Sequence, residues 1–303
     1  MNVAIYTTPA DALCPHTSIR PIPSLGFFRS SISSFLRFPA NIMKLSAFLM
    51  YYLVNQPAIQ NFTWIPNETP ASSFQFPLIT DACYLFIIFL LTRVFRLRLP
   101  PPILKPITAV YNTVILLLSF IMALGCTLST VSNAPDLHWI ICFPPDTPPS
   151  GPVFFWAYVF YLSKILEFLD TLLILLSDST QRLTLLHVSH HAVVVDMCYV
   201  WLWTSQSLFP VVLVTNASVH VLMYAYYLLC VLGVRPKWKR LVTECQIAQF
   251  RASFGALALM LGCHFFGPGC SGVWGWILNV FFYAWLLFHF LNFREQAYKS
   301  KSE

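Results

Sequence analysis

Charged side chains are scarce in this chain. Lys and Arg number 18 and Asp and Glu 12 among 303 residues, 10% in all, where a soluble globular domain carries about 25%. A soluble fold of this length could not clothe its surface with so few charges while hiding a composition that is 57% apolar. The mean hydropathy of +0.66 points the same way. Disordered chains, fibres, coiled coils and secreted disulfide scaffolds are excluded by this composition. CxxC pairs are also missing: the nine cysteines are scattered, so no zinc or dithiol redox motif is visible. Neither an internal repeat nor an inverted pair of interrupted spans of the transporter kind is evident. The net charge of +6 is not a nucleic-acid signature, because the basic residues sit in short clusters between apolar runs. What is present is a polytopic, all-α membrane protein, with 27 Phe and 22 Trp and Tyr suited to a lipid-facing surface with interfacial belts.

A helix needs about 20 apolar residues to cross the hydrocarbon. Seven segments qualify, near 78–97, 107–131, 153–176, 185–204, 207–232, 247–268 and 273–293. The apolar run Leu45–Val54 is too short to cross and reads as interfacial. Arg93, Arg96, Arg98 and Lys105 lie between spans one and two, Arg182 between three and four, Arg235, Lys237, Lys239 and Arg240 between five and six, and Arg294, Lys299 and Lys301 after span seven. The alternate loops 132–152, 205–206 and 269–272 contain no Lys or Arg. By the positive-inside rule the C-terminus is cytosolic and, with seven spans, the N-terminal side is lumenal. The sequons Asn61-Phe62-Thr63 and Asn67-Glu68-Thr69 fall on that side. Cys142 and Cys270 lie in lumenal loops, where oxidation is permitted, and are expected to pair; Cys126 and Cys263, at lumenal span ends, are the competing pair. Residues 1–43 carry Arg20, Arg29 and Arg37 with Asp11 as their only acid. They resemble a transit-type leader, and a disordered extension or an overlong gene model reads equally well, since Met43 is able to start a seven-span protein. The domain of interest is then 44–298, with a tail at 299–303.

Ionisable groups inside a span are costly and mark function by default. Span three holds Lys164, Glu167 and Asp170 beside Thr171; 164, 167 and 171 share a helix face with 170 next to it. The bland reading is an ion pair that fixes helix packing. Span four opens with His187, His190 and His191, whose spacings put three imidazoles on one side of a helix at the membrane boundary. Span five carries the stripe Asn216, His220, Met223 and Tyr227, with Tyr224 and Tyr226 alongside. Thr243, Gln246 and Gln249 open span six; alone they would pass as ordinary polar residues at a helix start. The topology gathers these groups at one site, open to the cytosol and walled by lipid-facing helices. Such a site suits a substrate with a polar head and a long apolar tail.

These motifs resemble those of the ELO family, the condensing enzymes of very-long-chain fatty acid elongation. The family's KxxExxDT motif corresponds to Lys164, Glu167, Asp170 and Thr171, and its histidine box to His187 through His191. Its NxxxHxxMYxYY motif corresponds to Asn216, His220, Met223, Tyr224, Tyr226 and Tyr227, and its TxxQxxQF motif to Thr243, Gln246, Gln249 and Phe250. The resemblance covers about 44–298, and the stretch from Cys198 to Phe250 is most similar to the plant ELO-like branch. Departures are Ser189 in place of an aromatic residue inside the box, Arg182 where a Gln commonly precedes it, Asp178 in a loop that is usually basic, and Tyr111 in place of a His before Asn112.

The resemblance implies a seven-helix fold in the endoplasmic reticulum, where Lys299 and Lys301 resemble a di-lysine retrieval signal. It implies the reaction of acyl-CoA with malonyl-CoA to give 3-oxoacyl-CoA, CoA and carbon dioxide, as in very-long-chain fatty acid and sphingolipid synthesis. No metal and no cofactor beyond the two CoA substrates is expected. Membrane lipids surround the protein, and 3-oxoacyl-CoA reductase, a dehydratase and enoyl-CoA reductase are the implied partners; self-association is left open. No Ser or Cys sits among the clustered polar groups as an obvious nucleophile, and imidazole can itself accept an acyl group. By resemblance His190 is the nucleophile, while His191, His187 and His220 orient groups, exchange protons and stabilise the enolate. Lys164, Glu167 and Asp170 tune the pocket; Asn216, Tyr224 and Tyr227 complete its wall; Gln246, Gln249 and Arg240 meet the CoA side. Two rivals stand. A di-iron desaturase or hydroxylase also uses HxxHH boxes but needs several of them to fill two coordination spheres. A non-enzymatic seven-span receptor explains the span count and not the polar cluster.

Overall fold

The computed structural model describes residues 38–95, 97–177 and 182–299, and these form helices joined by loops, with an isolated bridge between Thr63 and Ser150. The ten α-helices are α1 (Phe38–Leu53), α2 (Pro57–Gln60), α3 (Gln75–Phe89), α4 (Pro101–Asn133), α5 (Pro152–Leu166), α6 (Phe168–Leu176), α7 (Leu185–Trp203), α8 (Phe209–Val231), α9 (Lys239–Phe266) and α10 (Val273–Lys299). A π-helical turn, Leu90–Phe95, prolongs α3. Most of the N-terminal extension, together with Arg96, Asp178 and Lys301, lies outside the described residues. Helix α1 begins at Phe38, inside the boundary drawn at residue 43, and is longer than the interfacial run read from the sequence. It leans on α4, with Ser132 donating to Met50 Sδ.

Among the described residues five helices are long and apolar enough to cross a membrane: Gln75–Phe95, Pro101–Asn133, Leu185–Trp203, Phe209–Val231 and Val273–Gln296. They correspond to expected spans one, two, four, five and seven, and the chain is a multi-pass membrane protein. The other two expected spans take another form. Span three is two helices broken at Glu167. There the Ser163 hydroxyl donates to the Phe160 carbonyl, and Asp170 N–H bonds back only three residues to Glu167, which tightens the turn. Span six lies within α9, 28 residues long, whose first half carries Glu244, Gln246, Gln249 and Arg251.

Six helices close a ring: α4 packs on α8, α8 on α9, α9 on α10, α10 on α7, α7 on α5, and α5 back on α4. Helix α3 docks outside this ring against α6 and α7. Between helices in lipid, close packing and hydrogen bonds replace the hydrophobic effect as the adhesive. At the α4–α5 crossing any Cβ on Gly125 would overlap the Trp156 ring. Trp201 Nε1 donates to Asn279 Oδ1 at 2.9 Å between α7 and α10. The carboxylates Asp81 and Asp196, which no sequence motif marks, face each other between α3 and α7.

The two ends of the ring differ. One gathers Arg93, Arg98, Lys105, Arg182, Lys239 and Arg240; the loops of the other, 54–74, 134–151, 204–208 and 267–272, have no Lys or Arg. At this end without Lys or Arg, Cys142 and Cys270 form a disulfide, the expected pair, while Cys126 and Cys263 are free. Ser207 adds a hydrogen-bond clasp, its hydroxyl accepting from Phe143 N at 3.0 Å and donating to Ser271 O at 2.8 Å. Phe143, Phe154 and Phe209 pack together behind it, with ring centroids 5.0–5.9 Å apart.

Candidate active site

A cavity of about 650 Å³ opens toward the basic end of the ring. Helix α7 begins at its wall. The Thr184 side chain caps the helix by accepting from His187 N at 3.1 Å, which holds His187 in the first turn, with His190 and His191 following at its back. The His187 and His191 rings lie 4.5 Å apart, His190 and His191 5.5 Å, and His190 stacks on Phe282 of α10 at 6.2 Å. The Nδ1 atoms of His190 and His191 are buried without a partner among the described residues. For His190, whose ring lines the cavity, this leaves Nε2 as the nitrogen toward the space.

The break at Glu167 sets the second wall. Lys164 Nζ lies 2.7 Å from Glu167 Oε1, each side chain only 1% exposed. The same ammonium donates to Asn216 Oδ1 at 3.2 Å and sits 4.2 Å over the Phe160 ring. His220 Nδ1 is 3.4 Å from Glu167 Oε1. One turn on, Asp170 accepts a hydrogen bond from the Tyr224 hydroxyl. Thr171 Oγ1 lies 2.8 Å from His187 Nε2 and 2.8 Å from the hydroxyl of Tyr84, which comes from α3. Spans three, four and five are thereby joined to one another, and to span one, through polar contacts.

Of the expected site residues, His187, His190, His191, His220, Glu167, Asp170, Tyr224, Tyr227 and Gln246 line the cavity. Gln246 Nε2 also donates to Met223 Sδ at 3.7 Å. Lys164 and Asn216 stand behind the wall and brace Glu167. Gln249 is buried in the body of α9, away from the cavity lining. Arg240 points elsewhere: its side chain is 73% exposed and lies 3.7 Å from Glu244, and its neighbour Lys239 lines the cavity instead. In the sequence Arg98, Lys105, Arg182 and Lys239 stand out only as topology markers or departures, yet all four line the cavity, with Thr108 and Asn112 of α4. Their clustering in the basic loops was the signal available. For Tyr84 there was none, since it stands 87 residues before its partner. The apolar part of the lining comes from Leu104, Leu173, Ile174, Val242, Phe290 and Phe293. Among the described residues no three His, Cys, Asp or Glu side chains are arranged to hold a metal ion.

An imidazole cluster beside a buried carboxylate, with a basic mouth and an apolar flank, is equipped to bind an anionic headgroup, receive an apolar chain and exchange protons or acyl groups at a fixed point. The family model described as ELO: GNS1/SUR4 family matches residues 69–303. Fatty acid elongase A of Dictyostelium discoideum is 33% identical over 254 residues, spanning 80% of this chain and 90% of that protein. Fatty acid elongase 3-like of Arabidopsis thaliana is 28% identical over 263 residues, 81% of this chain and 90% of that one. Very long chain fatty acid elongase 2 of Mus musculus is 33% identical over 231 residues, 72% and 74% of the two chains.

Proposed function

Because the chain belongs to the ELO family, we propose that it is the condensing enzyme of very-long-chain fatty acid elongation, a 3-oxoacyl-CoA synthase. The observation that carries the reading is the convergence of His187, His190, His191 and His220 on one cavity whose mouth is basic and whose flank is apolar. Arg98, Lys105 and Lys239 suit the phosphates of a CoA headgroup, and the apolar flank suits the acyl chain. On this reading α5 with α6, and α9, also cross the membrane, giving seven spans. The basic end faces the cytosol, the disulfide end faces the lumen of the endoplasmic reticulum, and the reductases and dehydratase of the elongation cycle take the product onward.

In the proposed first half-reaction His190 Nε2 attacks the thioester carbonyl of acyl-CoA. The carbon–sulfur bond breaks, CoA leaves as the thiol after taking up a proton, and the acyl group remains on the imidazole. Malonyl-CoA then enters by the same mouth and loses carbon dioxide. Its C2 carbon attacks the acyl carbon, the bond to His190 breaks, and 3-oxoacyl-CoA departs. His187, His191 and His220, which line the same cavity, supply hydrogen bonds to the oxyanion and the enolate on this reading. Lys164 and Glu167 hold a fixed field beneath them.

The test is to supply microsomes bearing the protein with a panel of acyl-CoAs and labelled malonyl-CoA. Labelled 3-oxoacyl-CoA is the expected product, and its absence with every acyl-CoA refutes the reading. With acyl-CoA alone, one CoA should be released per site, with a mass increment on the peptide containing His190 and neither event in His190→Ala. Turnover without CoA release in the absence of malonyl-CoA, with intersecting initial-rate lines, would replace the covalent step by direct attack on bound acyl-CoA.

A further inference from the structure

We infer that Tyr84 is a positioning residue for the histidine box: through Thr171 it forms a hydroxyl relay that holds His187 in its Nδ1–H tautomer. The observation is a chain of two hydrogen bonds, Tyr84 OH to Thr171 Oγ1 at 2.8 Å and Thr171 Oγ1 to His187 Nε2 at 2.8 Å. It links α3, α6 and α7. Tyr84 and Thr171 are buried, at 4% and 1% exposure, and neither hydroxyl has another side-chain or backbone partner among the described residues. The Tyr84 ring is clamped by stacking on Phe168, centroids 4.1 Å apart and planes at 19°.

The direction of the protons follows from counting donors. Each hydroxyl has one hydrogen to give, and a buried O–H left without an acceptor is costly. If Tyr84 donates to Thr171, and Thr171 donates to His187 Nε2, both hydrogens are used. If His187 Nε2–H donated to Thr171 instead, one hydroxyl hydrogen would be stranded: that of Tyr84 if Thr171 donated to it, that of Thr171 if Tyr84 also donated to Thr171. The first arrangement therefore prevails. It requires a bare Nε2, so the neutral ring carries its proton on Nδ1. His187 lines the cavity, and with Nε2 committed to Thr171 it is Nδ1–H that remains for the reacting groups. Tyr84 thus sets, from outside the ring of six helices, the donor that His187 offers to developing negative charge. This consequence rests on the condensing reading; the tautomer itself does not.

Two measurements on the full-length protein separate these. The first is magnetic resonance of the histidine ring carbons and nitrogens in isotopically labelled protein in lipid, with the His187 signal identified by its loss in His187→Gln. Wild type and Thr171→Ser should show the neutral Nδ1–H form; Thr171→Val, which has no hydroxyl, and Tyr84→Phe, which frees the Thr171 hydroxyl to turn to the carbonyl one helical turn back and accept from the ring, should show a mixed or Nε2–H population. A wild-type Nε2–H ring, or a signal unmoved by Tyr84→Phe, overturns the relay. The second is turnover of malonyl-CoA. Tyr84→Phe should lower kcat by roughly tenfold with KM for malonyl-CoA within about twofold of wild type. Thr171→Val should fall further, and Thr171→Ser should keep most of the rate. Tyr84→Phe removes one oxygen and Thr171→Val preserves shape, so both are conservative for folding, and Thr171→Ser controls for that position. Wild-type protein that turns over with Tyr84→Phe unchanged in kcat defeats the positioning role. Wild-type protein that fails to turn over defeats the condensing reading, and the resonance measurement then decides the relay alone.

Discussion

Replacing Glu167 by Gln isolates what the buried ion pair contributes. Lys164 Nζ is 2.7 Å from Glu167 Oε1, with both side chains 1% exposed, so neither charge is hydrated. The amide keeps an acceptor for the ammonium and loses the countercharge. What then faces Lys164 is Asn216 at 3.2 Å and the Phe160 ring at 4.2 Å, and both contacts already exist in the wild type. Asp170 is engaged with Tyr224. Leaving one partner of a buried pair uncompensated costs about 3–5 kcal/mol. At about 2–4 °C per kcal/mol for a chain of this size, the thermal midpoint should fall by roughly 6–20 °C. Lys164→Met should cost less, because His220, 3.4 Å from the same carboxylate oxygen, is placed to carry a compensating proton. The double variant should recover part of the loss, with a coupling energy of at least about 2 kcal/mol. The assay is thermal unfolding of detergent-purified protein followed by size-exclusion fluorescence. Single losses that simply add, to within about 0.5 kcal/mol, would refute the argument. So would a Glu167→Gln midpoint within about 2 °C of wild type.

Three further outcomes are expected. Charge reversal of Lys239, which lines the cavity, should raise KM for malonyl-CoA by roughly tenfold, and more at low salt; reversal of the outward Arg240 should leave KM unchanged, and equal effects in steady-state kinetics would contradict the placement of the two side chains. Mass spectrometry of non-reduced peptides should recover Cys142 joined to Cys270, with Cys126 and Cys263 as free thiols, and reduction should destabilise the purified protein by roughly 2–4 kcal/mol. A tag after residue 303 should be digested by protease added to sealed microsomes, and protection of that tag would reverse the orientation drawn from the basic loops.

The chain's own sequence determined much of this. Scarce charge and long apolar runs force helices in lipid, because a helix satisfies its backbone polar groups within one segment. The spacing of His187, His190 and His191 places three rings on one side of a helix whatever surrounds it. The Lys and Arg pattern separated the two ends, and the cysteines in the loops without Lys or Arg pointed to the pair that forms. These are local properties, fixed by helical period and by solvent. Tertiary structure alone decided how each face is turned. Lys239 and Arg240 are adjacent and diverge, one to the cavity and one to Glu244. Gln246 faces the cavity while Gln249, three residues on, is sealed in α9. Lys164 braces Glu167 from behind the wall through Asn216, 52 residues away. Tyr84 reaches Thr171 across 87 residues. Period sets the angle between neighbours on one helix; the packing of that helix against the others sets which angle points inward, and no repeat in the sequence records it.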